Sequence, residues 1–258
     1  MASSNRNYYR KRRRRNRRRK IIATLFAACI ITGAIVAAVT VFFKVSSIEV
    51  SGTSLYSAED IIATSGITIG KNMFAVNKFN VANRVMQEYP YIGEIKIRRR
   101  LPDTFTFEIT ERKIAAFFQE EKFRWLIDKN GYILEGVDAD RVISAPQVID
   151  QNLMAPSPGT KIAMKNAEGT NPLVLLLTAL ENAGFIEKTG KVDVTKLYNL
   201  TITYDNRFLI EFGTTEELDK KIRMLKVVIE QLEATDRGTI DVSNVKQARF
   251  KPNANIQL

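Results

Sequence analysis

The segment "IGEIKIRRRLPDTFTFEITERK", residues 92–113, predicts two β-strands joined by a tight turn. In its second half apolar and polar residues alternate, so one face of that strand is buried and the other faces water. The apolar residues are Phe105, Phe107 and Ile109. Pro102 occupies a usual position in the turn between the strands. We therefore predict strands at about residues 92–99 and 104–110, and this hairpin decides the fold of the region around it.

The residues before the hairpin add a strand and two helices. "KVSSIEVSG", residues 44–52, is rich in β-branched residues and closes on glycine, which predicts a strand and a turn. In "SAEDIIATSG", Ser57 is a plausible N-cap and Gly66 a helix stop. Residues 72–91 predict a second helix that ends at a proline. Its apolar residues at helical spacing are Phe74, Val81, Val85 and Met86. Together, residues 44–113 read as a β-α-α-β-β unit.

The N-terminus combines a basic run with a long apolar run. Eleven of the 39 Lys and Arg residues lie in residues 1–20, and the remaining 28 bases are balanced by 28 acids. Residues 21–43 are uncharged and mostly apolar, and a membrane-spanning helix needs about 20 such residues. We predict a single transmembrane helix at 21–43. Positive flanks stay inside, so tail 1–20 is cytoplasmic and the later domains are extracytoplasmic.

A cleaved signal peptide and a nucleic-acid-binding arm are the two other interpretations of this N-terminus. A cleaved signal peptide has a shorter apolar region, of about 7–15 residues, so an uncleaved anchor is favoured. Arg10 to Lys20 could contact nucleic acid, since attraction to phosphate needs no sequence motif. The position of the run beside the span instead favours anionic lipid, worth about 1 kcal/mol per base near the surface.

Residues 114–251 predict a second, β-rich domain with two helices. "FFQEEKFRWLIDKNGYILEG" reads as strand, hairpin and strand with Asn130-Gly131 as a tight turn. Asn171-Pro172 opens a helix that ends at Gly184, and "NLTITYD" and "RFLIEFG" predict strands. Residues 215–234 predict a long helix with a capping box at Thr214 and Glu217. Its apolar stripe predicts core packing: Leu218, Ile222, Leu225, Ile229 and Leu232.

The C-terminal part ends in one or two short strands. "GTIDVSNVKQARFKP" predicts strands at 239–242 and at about 246–250, and a short tail, 252–258, follows. A late strand of this kind is often the edge of a sheet, where backbone N–H and C=O groups are unpaired. Such an edge can accept a strand from another protein.

No catalytic, cofactor or metal site is predicted. The chain has no histidine, and its single cysteine, Cys29, lies in the apolar run and cannot form an intrachain disulfide. "DKNG", residues 128–131, resembles the start of a calcium loop, but the ligand series does not continue. No P-loop or dinucleotide fingerprint is present.

Two short motifs of serine transpeptidases do occur. Ser243 to Lys246 matches S-x-x-K, and residues 188–190 match K-T-G. Ser243 follows a predicted strand instead of opening a helix, and the two motifs stand in the reverse order. Chance matches are therefore the better explanation.

Four segments give the chain a family likeness. They are "IEVSG" after the apolar run, "IRRRLPDTFTFEITERKIAAF" at the end of the first unit, "WLIDKNGYIL" in the second, and "IDV" near the end. With these motifs and this layout, nearly the whole chain resembles the FtsQ/DivIB family of bacterial cell-division proteins. "APQVIDQ", residues 145–151, matches the family only loosely, and the tail is short.

The resemblance implies an α+β fold with a single N-terminal transmembrane helix. A POTRA domain (β-α-α-β-β) at 44–113 and a mixed β-rich domain with two helices at 114–251 follow. It also implies a non-enzymatic protein without a cofactor, which joins single-span proteins similar to FtsL and FtsB/DivIC at the septum. These partners in turn regulate septal peptidoglycan synthesis.

The resemblance further implies that a partner pairs with an edge strand at about residues 246–251. The expected contact positions are Lys246, Ala248, Arg249, Phe250 and Lys251. Alternatively, Phe250 does not contact a partner and packs on the hydrophobic core of this domain. The POTRA domain is implied to be a docking module, and Arg98, Arg99 and Arg100 beside its turn either serve that surface or form a solvated strand end.

The alternative functions come from other classes. A POTRA-bearing transport or assembly factor would continue into a long series of alternating barrel strands, which this sequence does not contain. A cell-wall enzyme would depend on Ser243, and a DNA-binding membrane protein on the basic tail alone. The scaffold of the division machinery accounts for more of the sequence than any of these.

Overall fold

The computed structural model describes residues 4–120, 122–150, 157–162 and 171–253, with side chains from residue 19 onward. The side chains of most of the basic tail, the last residue of the segment 145–151 and the tail beyond Asn253 lie outside the described residues. The chain divides into two units, one of residues 1–83 and 96–108 and one of residues 84–95 and 109–258. The fold class is α+β, as predicted.

The N-terminal helix α1 runs from Ser4–Phe42 and contains the predicted span. Its part Arg19–Phe42 has a mean hydropathy of 2.5 over its apolar window. At 1.5 Å per residue, these 24 residues extend about 36 Å, enough to cross a bilayer. The apolar helix therefore fits a single-pass membrane topology, and it begins and ends within two residues of the predicted span.

The next elements, in chain order, form a three-stranded sheet with two helices. They are β1 (Ser47–Ser51), α2 (Ala58–Ser65), a 3₁₀ turn (Met73–Ala75), α3 (Lys78–Glu88), β2 (Ile92–Arg100) and β3 (Thr104–Glu111). The strand order is β1-β3-β2, and β1 runs parallel to β3. Phe105 and Phe107 are fully buried, as the alternation predicts. Ser57 accepts the N–H of Asp60, and Gly66 ends α2 at φ 66°, so both predicted caps are confirmed.

The second predicted helix starts later than expected. Phe74 lies in the 3₁₀ turn, where the residue is 48% exposed. The helix begins only at Lys78, because the side chain of Asn77 accepts the backbone N–H groups of Phe79 and Asn80 and so caps it there. Val81 and Val85 are buried as predicted, whereas the assignment of Phe74 to the helix was wrong.

The remaining elements form a larger sheet that packs against two helices. They are β4 (Ala116–Glu120), β5 (Phe123–Ile127), β6 (Ile133–Asp138), β7 (Gln147–Ile149), α4 (Pro172–Asn182), β8 (Thr189–Asp193), β9 (Leu200–Tyr204), β10 (Phe208–Gly213), α5 (Leu218–Gln231), β11 (Gly238–Asp241) and β12 (Arg249–Pro252). Within the described part of the chain, nine strands follow the order β12-β11-β10-β9-β8-β7-β4-β5-β6. β4–β7, β7–β8 and β10–β11 are parallel pairs.

The core of this sheet is formed with α4 and α5. Leu173, Leu176 and Leu180 of α4 and Leu225 of α5 are fully buried in it. Asn171 caps α4 by accepting the N–H of Leu173, and Pro172 is its first residue. The predicted stripe on α5 is therefore core, although Ile229 and Leu232 are only partly buried.

The predicted capping box at the start of α5 was wrong. Glu217 is the N-cap, in the left-handed region at φ 53°, and makes no side-chain cap hydrogen bond. The Thr214 hydroxyl accepts the N–H of Glu216, and its carbonyl accepts a hydrogen bond from Lys221 Nζ at 2.8 Å. Burial lowers the pKa of Lys221, while Glu216 and Glu217 act in the opposite direction. The Lys221 ammonium thus binds the Thr214 carbonyl, and the Glu217 side chain accepts no N–H of the first helical turn.

Candidate functional site

The C-terminal strand β12 is an edge of the nine-stranded sheet. It pairs antiparallel with β11, with Phe250 opposite Ile240 and Lys251 opposite Thr239. The strand begins at Arg249, so Lys246 and Ala248 precede it in a loop. The expected edge strand therefore exists, and it starts three residues later than the sequence predicts.

The backbone of β12 presents only a few groups outward. The Asn253 N–H donates to the Arg237 carbonyl at 2.9 Å, which directs residue 253 toward the β11 side. Because successive residues of a strand alternate, Lys251 and Arg249 also bond toward β11. Phe250 then directs its N–H and C=O to the open side, and Pro252 offers only a carbonyl there. The open edge is short and has one strand N–H donor.

The side chains of the five expected contact residues divide between two environments. Ala248 and Phe250 are partly buried against the core, and the Phe250 ring meets Phe208 edge-on at 6.1 Å. Lys246, Arg249 and Lys251 are exposed. Phe250 therefore covers the core, and the charged residues form the accessible surface of this edge.

Asp241 on β11 is the charged partner of β12. Its carboxylate accepts hydrogen bonds from the Ser243 hydroxyl at 2.7 Å and the Ser243 N–H at 3.0 Å. Burial acts to raise the pKa of Asp241, but these hydrogen bonds and the charges of Lys251 and Arg249 outweigh it and lower the pKa. A carboxylate is therefore stabilised beside the edge strand.

The S-x-x-K match lies in the turn between β11 and β12. Residues 243–246 form no helix, and the Ser243 hydroxyl donates to Asp241. Lys246 is exposed, with its N–H donated to the Asn244 side chain. The K-T-G match, residues 188–190, lies at the start of β8. Ser243 here helps to close the turn.

A buried ion pair joins two of the family-like motifs, and the sequence did not single it out. Arg112 Nε lies 3.2 Å from Asp128 Oδ2, and both side chains are almost fully buried. Arg112 also donates to the Pro90 carbonyl at 2.7 Å, and its guanidinium lies 3.8 Å from the centre of the Tyr132 ring. The other oxygen of Asp128 accepts the N–H groups of Asn130 and Tyr132. Asp128 therefore organises the β5–β6 turn instead of a calcium loop.

This ion pair lines a cavity of about 390 Å³. Glu94, Glu181 and Lys129 also line it, and Lys129 pairs with Glu181 at 3.3 Å. Acidic and basic groups are mixed around the cavity, so no net charge selects a ligand. The sequence contains the two motifs that line this cavity, Glu-Arg-Lys and Ile-Asp-Lys-Asn-Gly. Their spacing in the sequence does not show that they contact each other.

The three arginines at the end of β2 do not share one role. Arg98 pairs with Glu108 and Arg100 with Glu49, each at 3.2 Å, and all four side chains are exposed. Arg99 instead donates to the carbonyls of Met73 and Val76, at 3.0 and 2.9 Å. Arg98 and Arg100 thus form a solvated strand end.

Arg99, by contrast, has a positioning role. Its guanidinium lies 5.5 Å from the centre of the Phe74 ring and 5.9 Å from that of Phe105. With its two carbonyl contacts, it holds the 3₁₀ turn against the sheet. The interpretation as a solvated strand end is wrong for this residue.

Comparison with known families finds a match for the three-stranded sheet and the helices around it. The family model "POTRA domain, FtsQ-type" matches residues 43–112. The matched residues lie between the apolar helix α1, which is long enough to cross a membrane, and the β-rich region that follows.

The curated relatives that match most of the chain are cell-division proteins. The chain is 28% identical to cell division protein DivIB of Clostridium tetani over 205 residues, covering 78% of this chain and 77% of the relative. Identity to DivIB of Clostridium acetobutylicum is 26%, covering 78% and 80%. Cell division protein FtsQ of Corynebacterium glutamicum is 25% identical, covering 75% and 82%. These matches confirm the resemblance to the FtsQ/DivIB family.

Proposed function

We propose that this chain is a non-enzymatic, single-span scaffold of the cell-division machinery. Its N-terminus is cytoplasmic, and its POTRA domain (44–113) and β domain (114–251) are extracytoplasmic at the division septum. It binds single-span division proteins similar to FtsL and FtsB/DivIC, and through them it influences septal peptidoglycan synthesis. The basic tail contacts anionic lipid at the inner leaflet.

The observation that carries this proposal is the length of the similarity. A POTRA domain alone is compatible with transport and assembly proteins, but the similarity to division proteins extends over about three quarters of the chain. The β-rich region is therefore part of the relationship. This supports a division function over the other POTRA-bearing classes.

Strand addition at β12 is the proposed mode of partner binding. The open side of β12 offers the N–H and C=O of Phe250, which an added strand would satisfy. Exposed Arg249 and Lys251 would favour an acidic or polar partner segment. Pro252 limits the length of the added strand, because it has no N–H to donate.

Two substitutions at one position test this mode. Phe250→Ala and Phe250→Pro both remove the ring that meets Phe208, but only proline removes the outward N–H. We expect Phe250→Pro to weaken co-purification of the FtsB/DivIC-like partner at least tenfold, and Phe250→Ala to weaken it less. Equal binding by the two variants would contradict strand addition, and full-strength binding by both would contradict the edge as the contact.

A photo-crosslinking residue locates the contact in cells. Placed at Lys251, it should form an adduct with the FtsB/DivIC-like protein. Asp138 is the matched control, because it is also exposed and lies on the opposite edge strand, β6. Adducts of equal yield at both positions would show that β12 is not the specific site.

Depletion of the protein tests the function as a whole. We expect a fluorescent fusion of the full chain to form midcell rings, and depleted cells to become filamentous because septal wall synthesis fails. A uniform membrane signal together with normal division on depletion would overturn the proposed function.

A further inference from the structure

The end of the apolar helix is tied directly to the loop that follows α2. The Met73 N–H donates to the Phe43 carbonyl at 2.9 Å, and the Val45 N–H donates to the Lys71 carbonyl at 2.9 Å. Val45 also accepts the N–H of Gly70 at 2.8 Å. The loop therefore lies within hydrogen-bond distance of the helix end.

Asn72 provides the contact closest to the helix itself. Its side-chain N–H₂ donates at 2.9 Å to the Val39 carbonyl in the last turn of α1, which also accepts the Phe43 N–H at 3.4 Å. Its oxygen accepts the N–H of Phe74 at 2.8 Å, which opens the 3₁₀ turn. One side chain thus fixes both the helix end and the turn.

The turn between β2 and β3 lies at the same end of the sheet. β1 begins five residues after α1 ends and pairs parallel with β3, with Ser47 opposite Thr104. The Ser46 N–H also donates to the Asp103 carbonyl at 2.8 Å. Since β1 leads away from the helix, the start of β3 and the turn before it lie on the helix side.

Large apolar side chains are exposed at this end. Ile69 and Leu101 are each 58% exposed and Phe74 is 48% exposed, and exposed Lys44 and Lys71 lie among them. Residues 61–87 contain three basic and no acidic residues. We call Lys44, Ile69, Lys71, Phe74 and Leu101 the helix-proximal surface.

We propose that the helix-proximal surface docks on the membrane into which α1 inserts. Its apolar side chains enter the boundary between headgroups and acyl chains, and Lys44 and Lys71 contact anionic phosphate. The hydrogen bonds to Val39 and Phe43 place this surface at the level where the span leaves the bilayer. The proposal rests on α1 crossing the membrane, which is part of the proposed function.

Depth-dependent fluorescence quenching tests this docking. The full chain is reconstituted in phosphatidylcholine/phosphatidylglycerol vesicles, with an environment-sensitive dye on one cysteine. The native Cys29 reports the span. In a Cys29→Ala background, Ile69→Cys reports the surface, and Leu55→Cys is the matched control. Leu55 is also 58% exposed but follows β1, whose five residues extend about 17 Å away from the helix end.

We expect deep quenchers to act on the label at Cys29. The label at Ile69 should be quenched by shallow quenchers and should show blue-shifted emission. The label at Leu55 should show neither the quenching nor the blue shift. Adding Lys71→Glu should reduce the quenching at Ile69 in these vesicles but not in phosphatidylcholine alone. Quenching at Cys29 with equal, weak quenching at Ile69 and Leu55 would overturn the docking and leave the span intact. Absent quenching at Cys29 would overturn the span itself. Protection of Ile69 only after a partner protein is added would assign the surface to protein instead of lipid.

Discussion

The two edges of the large sheet are treated differently by the chain. At β6, residues 159–162 run along the outer side: the Ile133 N–H donates to the Thr160 carbonyl, and the Gly159 N–H donates to the Ile133 carbonyl, both at 2.8 Å. A further bridge joins Tyr132 to Lys161. At β12, the described residues provide no such cover on the outer side.

The difference indicates which edge is available for pairing. An open edge is a liability that proteins usually cover or shorten. β6 is covered where it begins and lies next to the buried Arg112–Asp128 pair. β12 is only shortened, to four residues ending in proline. An edge that is left open but kept short suits recognition of one strand better than aggregation.

Asp128→Ala should cause the largest loss of stability, because it disrupts the covered edge at β6. It leaves Arg112 buried without its partner and removes the acceptor of two backbone N–H groups. We expect the free energy of unfolding to fall by about 3–5 kcal/mol. Urea denaturation of the full chain in detergent, followed by the fluorescence of Trp125 on β5, measures it.

Two further variants control this experiment. Asp138→Ala removes an exposed carboxylate from β6 and should change stability by about 0.5 kcal/mol or less. In the double variant Arg112→Ala/Asp128→Ala, the loss should be smaller than the sum of the two single losses, because no charge is left unpaired. Additive losses would show that the two side chains are not coupled.

Gly238→Ala should produce an intermediate effect, confined to the open edge. Gly238 has φ +155°, and an added Cβ would lie 2.2 Å from the Lys251 carbonyl oxygen in β12. The backbone of β12 must therefore move away from β11. We expect a loss of about 1–3 kcal/mol and faster hydrogen exchange at the Lys251 amide.

Gly184→Ala is the matched control for this substitution. Gly184 also has a positive φ, +74°, but a Cβ there would meet nothing within 4 Å. Strain alone then lowers stability, by about 1–2 kcal/mol, without selective exchange at Lys251. If both variants accelerate exchange at Lys251 equally, β12 is not held by the close approach at Gly238.

The sequence predicted some strands of the fold accurately and missed others. The hairpin of β2 and β3 was predicted almost to the residue, because its alternation and its turn are local. β7 and β8 were missed, since β7 has three residues and β8 buries only Thr189 and Val192. Their parallel pairing joins segments more than 40 residues apart, which no local pattern encodes.

The candidate site was also predicted only in part. The edge position of the C-terminal strand followed from its place in the chain, and its start was misplaced by three residues because the turn that Ser243 and Asp241 close extends the loop. The outward direction of Phe250 depends on register, which the sequence left uncertain. Arg112 and Asp128 were present in quoted motifs, but only the fold brings their side chains together.

Asp241→Asn should produce the smallest effect, a pH-dependent weakening of the open edge. Because its pKa is lowered in the folded state, the carboxylate stabilises the protein above its unfolded pKa of about 4. This contribution is lost as the pH falls through the lowered folded value. Asparagine still accepts a hydrogen bond from Ser243 but carries no charge to attract Arg249 and Lys251.

We therefore expect the Asp241→Asn variant to be less stable than the parent protein at pH 7, by a margin that shrinks below pH 4. Denaturation of both proteins across this range, with Glu211→Gln on β10 as the control, measures the margin, and a pH-independent margin would show that the charge of Asp241 does not hold β12.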